Sequence, residues 1–161
     1  MADFTVETII NAPAEQVWEA LADIGSIYKW NPGVVSSYLT AEKGGGIGAA
    51  RHCDLDGKNY LKEEVVEWDA GKSLTMRIVE TNLPFKAADI CFSLRADNGK
   101  TLVSVTPVYD LKFGVVGKML DAAYVRNNYK KGMVALLKGL KKYVERGEGS
   151  PSNKSLEPTA S

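Results

Sequence analysis

The sequence has one histidine, two cysteines and no surplus of either charge, with 20 Lys and Arg balancing 20 Asp and Glu over 161 residues. Each shortage excludes something. Without net charge there is no overall field to draw in nucleic acid or an anionic membrane. Nor does a basic tract with interleaved aromatics mark a nucleic-acid surface. The lone histidine, His52, stands beside Cys53; neighbours on a strand point to opposite faces, so the two make neither a metal pair nor a nucleophile–base set. Cys53 and Cys91 lack metal-ligand spacing and read as two unbridged thiols of a reducing compartment. No apolar run approaches the roughly 20 residues of a membrane span, and the opening MADFTVETII has no charged-then-apolar leader. These absences predict a cytoplasmic domain with no metal and no cofactor. Its 45% hydrophobic content is enough for a real core.

What is present is an ordered series of elements. FTVETIIN (residues 4–11) is rich in β-branched residues and reads as a strand. APAEQVWEALAD follows as a helix, with Pro13 at its first position after an Asn11 or Ala12 cap, Glu15 in its first turn, and Val17, Leu21 and Ile24 at helical spacing. SIYKWNPG reads as a second short helix stopped by Pro32 and Gly33. Six strand candidates come next: VVSSYLTAE, IGAARHCDL, NYLKEEVVEW, SLTMRIVET, KAADICFSLRA and TLVSVTPVYDL. The Asp-Gly and Asn-Gly turns between them are hairpin signals, which makes sequence neighbours antiparallel neighbours in space. Pro107 inside the last run predicts a weakened strand, a bulge or an edge.

The run from Gly114 to Gly147 closes the series as one long amphipathic helix. Met119, Ala122, Arg126, Tyr129, Met133, Leu136, Leu137, Leu140 and Val144 form its stripe. Gly132 and Gly139 each cost a helix about 1 kcal/mol against Ala, so each signals close packing or a bend. Residues 1–146 read as one domain, and the polar, Gly-, Ser- and Pro-rich residues 147–161 as a disordered tail.

KGGGIGAARHCDLDGK (residues 43–58) holds the most suggestive glycines. Gly44, Gly46 and Ala49 fit a loose dinucleotide fingerprint, but that motif must open a helix. Here the chain alternates and meets a turn within ten residues, leaving no room for one, and no Gly-Lys-Ser/Thr follows for a phosphate loop. The glycines read as a corner between two strands.

A strand, two short helices, a long antiparallel series and one C-terminal amphipathic helix together resemble the START/birch-pollen-allergen superfamily. More narrowly, the sequence is similar to the bacterial polyketide cyclase/dehydrase and lipid-transport (SRPBCC) branch. INAPAEQVWEALADIGSIYKWNPGV (residues 10–34), GIGAARHCDLDG (46–57), KEEVVEWDAGKSLTMRI (62–78) and the final helix carry the likeness, over about residues 3–146. The resemblance implies an α+β helix-grip fold, in which a curved antiparallel sheet of about seven strands wraps a long C-terminal helix. A cavity between sheet and helix would accept a small hydrophobic molecule.

Strand parity proposes the lining. Ile47, Ala49, Arg51, Cys53 and Leu55 share a face that their apolar members turn inward, with Arg51 toward the rim. Val103, Val105, Pro107 and Tyr109 share another, and the helix adds Met119, Ala122, Arg126, Tyr129 and Met133. By resemblance Leu61, Glu63 and Val65 face inward; Val66 and Trp68 on the opposite parity contradict this unless a bulge lies near Trp68. Arg77 and Asp89 fall outside the apolar sets of their strands.

A buried Glu63 and Arg126 need partners. They form either a structural ion pair or, with Tyr109, the polar groups that orient a ligand; the remaining alternative is that one or both point to solvent. Three functions follow. The first is binding of a lipid-, terpenoid- or polyketide-like molecule. The second is cyclase/dehydratase chemistry with Glu63 as base and Arg126 or Tyr109 stabilising an enolate oxygen. The third is an interaction or stress-response module with a collapsed cavity, using Tyr28, Trp30 and the Leu83-Pro84-Phe85 loop as its contact patch; those residues equally suit the lip of a pocket. Oligomeric state stays open between monomer and homodimer.

Overall fold

The computed structural model describes residues 2–112 and 118–147, the side chains of 118–122 excepted. Of the tail expected at residues 147–161, residues 148–161 lie outside the described residues.

Turn chemistry builds the sheet. Asn98 and Gly99 both take positive φ (50° and 82°), as a two-residue hairpin between Asp97 and Lys100 requires. The strands are β1 (Ala2–Asp3), β2 (Val6–Ile10), β3 (Val34–Leu39), β4 (Ala50–Leu55), β5 (Tyr60–Asp69), β6 (Ser73–Thr81), β7 (Phe85–Asp97) and β8 (Lys100–Leu111). They form one sheet in the order β1-β8-β7-β6-β5-β4-β3, with β2 also on β8. Its pairings are antiparallel. This is the expected helix-grip arrangement, with eight strands where about seven were anticipated because the first is split in two.

Pro107 explains the split. β8 runs through it without a register shift against β7, where Pro107 faces Ile90. On the other side, pairing stops after Asp3↔Val108 and resumes at Val6↔Val105, opposite the stretch that contains Pro107 and its missing N–H. Thr5 and Thr106 bridge the gap through their hydroxyls at 2.8 Å. The cost of the proline falls on the partner strand.

Helix α1 (Ala14–Ala22) starts one residue later than expected, with Pro13 at the cap, and buries Val17, Ala20 and Leu21. A 3-10 helix, Ile24–Lys29, follows and buries Ile24 and Ile27; it ends before Pro32 because Trp30 N–H bonds back to Ile27 O at 3.1 Å. The glycine run turns the corner between β3 and β4, with Gly46 and Gly48 at φ 79° and 94°. That turn breaks the alternation before β4 begins, so Ile47, expected inward, is exposed while Ala49 is buried.

Helix α2 (Lys118–Glu145) lies in the concavity. Leu136, Leu137, Leu140 and Val144 join Phe92, Val103 and Val105 of the sheet in one buried cluster. Each such side chain contributes roughly 1.5–3 kcal/mol on leaving water. At Gly139 the helix touches the loop after the 3-10 helix. A Cβ there would overlap the Trp30 carbonyl oxygen and sit 3.1 Å from Pro32 Cδ.

Candidate functional site

Between residues 124 and 136, α2 leaves space above the sheet. In that space lies a cavity of about 580 Å³, walled largely by apolar side chains such as Ile78, Phe92, Val125 and Met133. Leu83 and Pro84 of the β6–β7 loop and Phe85 at the start of β7 stand on its wall, so the loop belongs to the pocket. A depression of equal volume on the convex face, around His52 and Tyr60, and a groove of about 720 Å³ beside the C-terminal half of α2 are more polar. The volume and apolar lining of the concave cavity are those of a small-molecule site.

Its charged groups come from adjacent strands. Arg51 of β4 and Glu63 of β5 are register partners on the concave face. β5 can present Leu61, Glu63, Val65 and also Trp68 inward because a bulge falls at Val66, between the pairs Val65↔Met76 and Glu67↔Thr75. Trp68 then meets Trp18 edge-on, centroids 5.0 Å apart. Arg51 Nε donates to Glu63 Oε1 at 2.9 Å, and Arg51 Nη1 donates to the Ile24 carbonyl at 3.1 Å. Both residues are buried, 5% and 2% exposed. Arg51 was expected near the rim; it sits in the wall instead, because Glu63 and the end of the 3-10 helix supply acceptors for a buried guanidinium. Burial works against its charge, but the nearby Glu63 outweighs that and raises its pKa.

Cys53 Sγ lies 4.0 Å from the same Glu63 oxygen. Burial pushes its thiol up to about 12 against the pull of Arg51, so it stays protonated. Tyr129, also on the wall, is raised well above the ordinary phenol range, first by burial and then by Glu63 and Tyr109. It too keeps its proton.

Of the residues expected to line the site, Arg51, Cys53, Leu55, Leu61, Glu63, Tyr129 and Met133 are on the wall. Val105, Pro107 and Tyr109 face inward as expected but belong to the core beneath. Tyr109 packs behind Tyr129, with Phe4 and Phe85 completing an aromatic cluster. The side chains of Met119 and Ala122 lie outside the described residues. Arg126 is a correction. It is exposed, donates through Nη1 to the Asp3 carbonyl at 2.8 Å, and lies over the Phe4 ring at 5.7 Å. At its level the helix passes the β1 edge of the sheet, and the long side chain reaches around that edge. Glu63, Arg126 and Tyr109 therefore do not converge. Trp30, expected in an exposed patch, is buried, whereas Tyr28 is exposed. Arg77 and Asp89 pair on the convex face through two 2.9 Å bonds, as their parity indicated. Gly132, read only as a packing signal, lines the cavity with nothing within 4 Å of an added Cβ.

A family model described as polyketide cyclase/dehydrase and lipid transport matches residues 1–145. Among curated proteins none matches. The fold resembles that of the Zhui aromatase/cyclase from Streptomyces sp. R1128, with a TM-score of 0.77 at 18% identity over 90% of this chain and 94% of that one. A START superfamily protein from Mycobacterium smegmatis gives 0.74 at 19% identity, over 89% and 97% of the two chains. Major latex-like protein 151 from Panax ginseng gives 0.71 at 18%, over 88% and 96%. At these identities the likeness is one of fold.

Proposed function

Since the chain belongs to the polyketide cyclase/dehydrase and lipid transport family, we propose that it binds a small hydrophobic molecule between the sheet and α2. The supporting observation is the cavity of about 580 Å³, apolar over most of its wall, with Arg51, Glu63 and Tyr129 among its polar groups. The guest's carbon skeleton takes the place of the core that α2 leaves unfilled. The polar groups set its orientation. Catalysis by Glu63 has less support. Arg51 and Cys53 both engage Oε1, and the Arg126 and Tyr109 assigned to an enolate oxygen are elsewhere. His52, on the convex face between Tyr38 and Tyr60, supplies no alternative base. The two free thiols suit a reducing compartment.

Native mass spectrometry of freshly purified protein, followed by extraction, will reveal a retained apolar molecule, and delipidated protein will take up a fluorescent apolar probe. Gly132→Leu, which extends a side chain from the cavity wall, will abolish uptake with the far-UV dichroism unchanged. Failure of the wild-type protein to take up any probe would overturn the reading, as would uptake indifferent to Gly132→Leu.

A further inference from the structure

We propose that the polar end of the ligand is an uncharged hydroxyl, and that the cavity discriminates against the carboxylate of the same chain length. The inference rests on the reading that the cavity holds an apolar molecule, and it names what that molecule carries. Among the described residues, Arg51 and Glu63 are the only charged side chains on the wall. They are bonded to each other at 2.9 Å, so the wall is polar but has no net charge.

The atoms left over decide which groups fit. Arg51 spends Nε on Glu63 and Nη1 on Ile24; Glu63 Oε1 accepts from both Arg51 and Cys53. Arg51 Nη2 and Glu63 Oε2 take no part in these bonds. Neither is an enclosed orphan, since among the described residues Trp30 Nε1 alone is buried without a partner. On two residues of the cavity wall, they are the donor and the acceptor that the pair has left to offer a ligand. A hydroxyl answers both, taking a hydrogen bond from Nη2 and giving its own proton to Oε2. The protonated phenol of Tyr129 stands on the same wall.

A carboxylate or phosphate answers only one. Its oxygens would accept from Nη2, but they would also face Oε2, the acidic half of the ion pair, with no second cation on the described wall to offset the repulsion. It would lose its hydration without gaining a full counter-charge. Free fatty acids are thus poor guests, and apolar alcohols and phenols good ones.

The test uses delipidated wild-type protein loaded with a fluorescent apolar probe at pH 8, displaced by 1-dodecanol or by dodecanoate below their aggregation limits. The alcohol is expected to displace at a concentration at least about tenfold lower. Lowering the pH to 5, where dodecanoate begins to protonate, should tighten the acid and leave the alcohol unchanged. In Glu63→Gln, which unmasks Arg51, dodecanoate should gain about tenfold or more. If that variant does not fold, the wild-type comparison and its pH dependence decide alone. Equal or tighter binding of dodecanoate at pH 8 overturns the ligand class, as does failure of 1-dodecanol to displace a bound probe. Absence of probe uptake instead overturns the cavity reading on which this one rests.

Discussion

The two glycines of α2 should respond to the same substitution with opposite signs. In a helix interior, Gly→Ala removes backbone entropy from the unfolded chain and is worth about 1 kcal/mol where the new methyl has room. Gly132 has that room, since a methyl group added there would meet nothing within 4 Å on the cavity wall. Gly132→Ala should therefore raise stability by about 1 kcal/mol, or roughly 2–4 °C in Tm for a domain of this size. At Gly139 the methyl overlaps the main-chain oxygen of Trp30 and crowds Pro32 Cδ at 3.1 Å. No rotamer change moves a carbonyl, so the cost falls at the upper end of the usual overpacking range, about 3 kcal/mol. Less the propensity gain of about 1 kcal/mol, the net loss is about 2 kcal/mol. Tm should fall by roughly 4–8 °C. Thermal and urea unfolding followed by circular dichroism, with unchanged m-values as the control, measure both. A Gly139→Ala protein as stable as wild type would refute the close approach of helix and loop; a destabilised Gly132→Ala would refute the open space at the cavity wall.

Other perturbations test the polar groups. Arg51→Met should cost about 3–5 kcal/mol in denaturant unfolding, because it strands the Glu63 carboxylate, whereas Arg51→Met/Glu63→Leu should return to within about 1 kcal/mol of wild type. A small loss in the single variant would mean that the pair is hydrated. With DTNB at pH 8, half-buried Cys91 should react first and Cys53 only slowly, since a thiol raised to about 12 has roughly one part in ten thousand as thiolate; two equal fast phases would contradict its burial. Glu145 is held below the usual carboxylate range, first by the Asn11 N–H at 2.8 Å and then by Lys141. A depressed folded pKa gives stability that is present above about pH 4.3 and lost as pH falls through the lower folded value. Glu145→Gln should thus melt below wild type at pH 7 and match it by pH 3. A gap that persists at pH 3 would assign the effect to packing.

The sheet was legible because half-buried strands alternate. Val103, Val105 and Tyr109 announce their face, and the Asn98–Gly99 turn announces its hairpin. β5 resisted because a bulge is a backbone event without a composition of its own; only the conflict between Glu63 and Trp68 hinted at the extra residue, Val66. Arg51 exposes a different limit. Parity fixes the side of the sheet, but depth along the wall depends on the Ile24 carbonyl, which comes from a distant turn. Arg126 fits the helical stripe by spacing, yet the stripe says nothing of where the sheet beneath it ends. Likewise spacing marked Gly132 and Gly139 alike; the difference between an empty wall and a touching carbonyl is tertiary.

The unequal anchoring of α2 has a kinetic consequence. Its last turns are tied down by Leu140 and Val144 in the core, by Lys141 to the Ile9 carbonyl, and by Glu145 to Asn11. Its turns over the cavity, near Asn128 and Gly132, are held instead by Tyr129 against Phe4, Phe85 and Tyr109 and by Arg126 on the Asp3 carbonyl. Those two sets of contacts make the C-terminal turns a hinge and Tyr129 and Arg126 a latch. Amides near the hinge exchange with solvent only when the whole domain opens, while those over the cavity exchange through a smaller local opening. The guest proposed above would then enter and leave on the timescale of that lesser motion rather than of global unfolding.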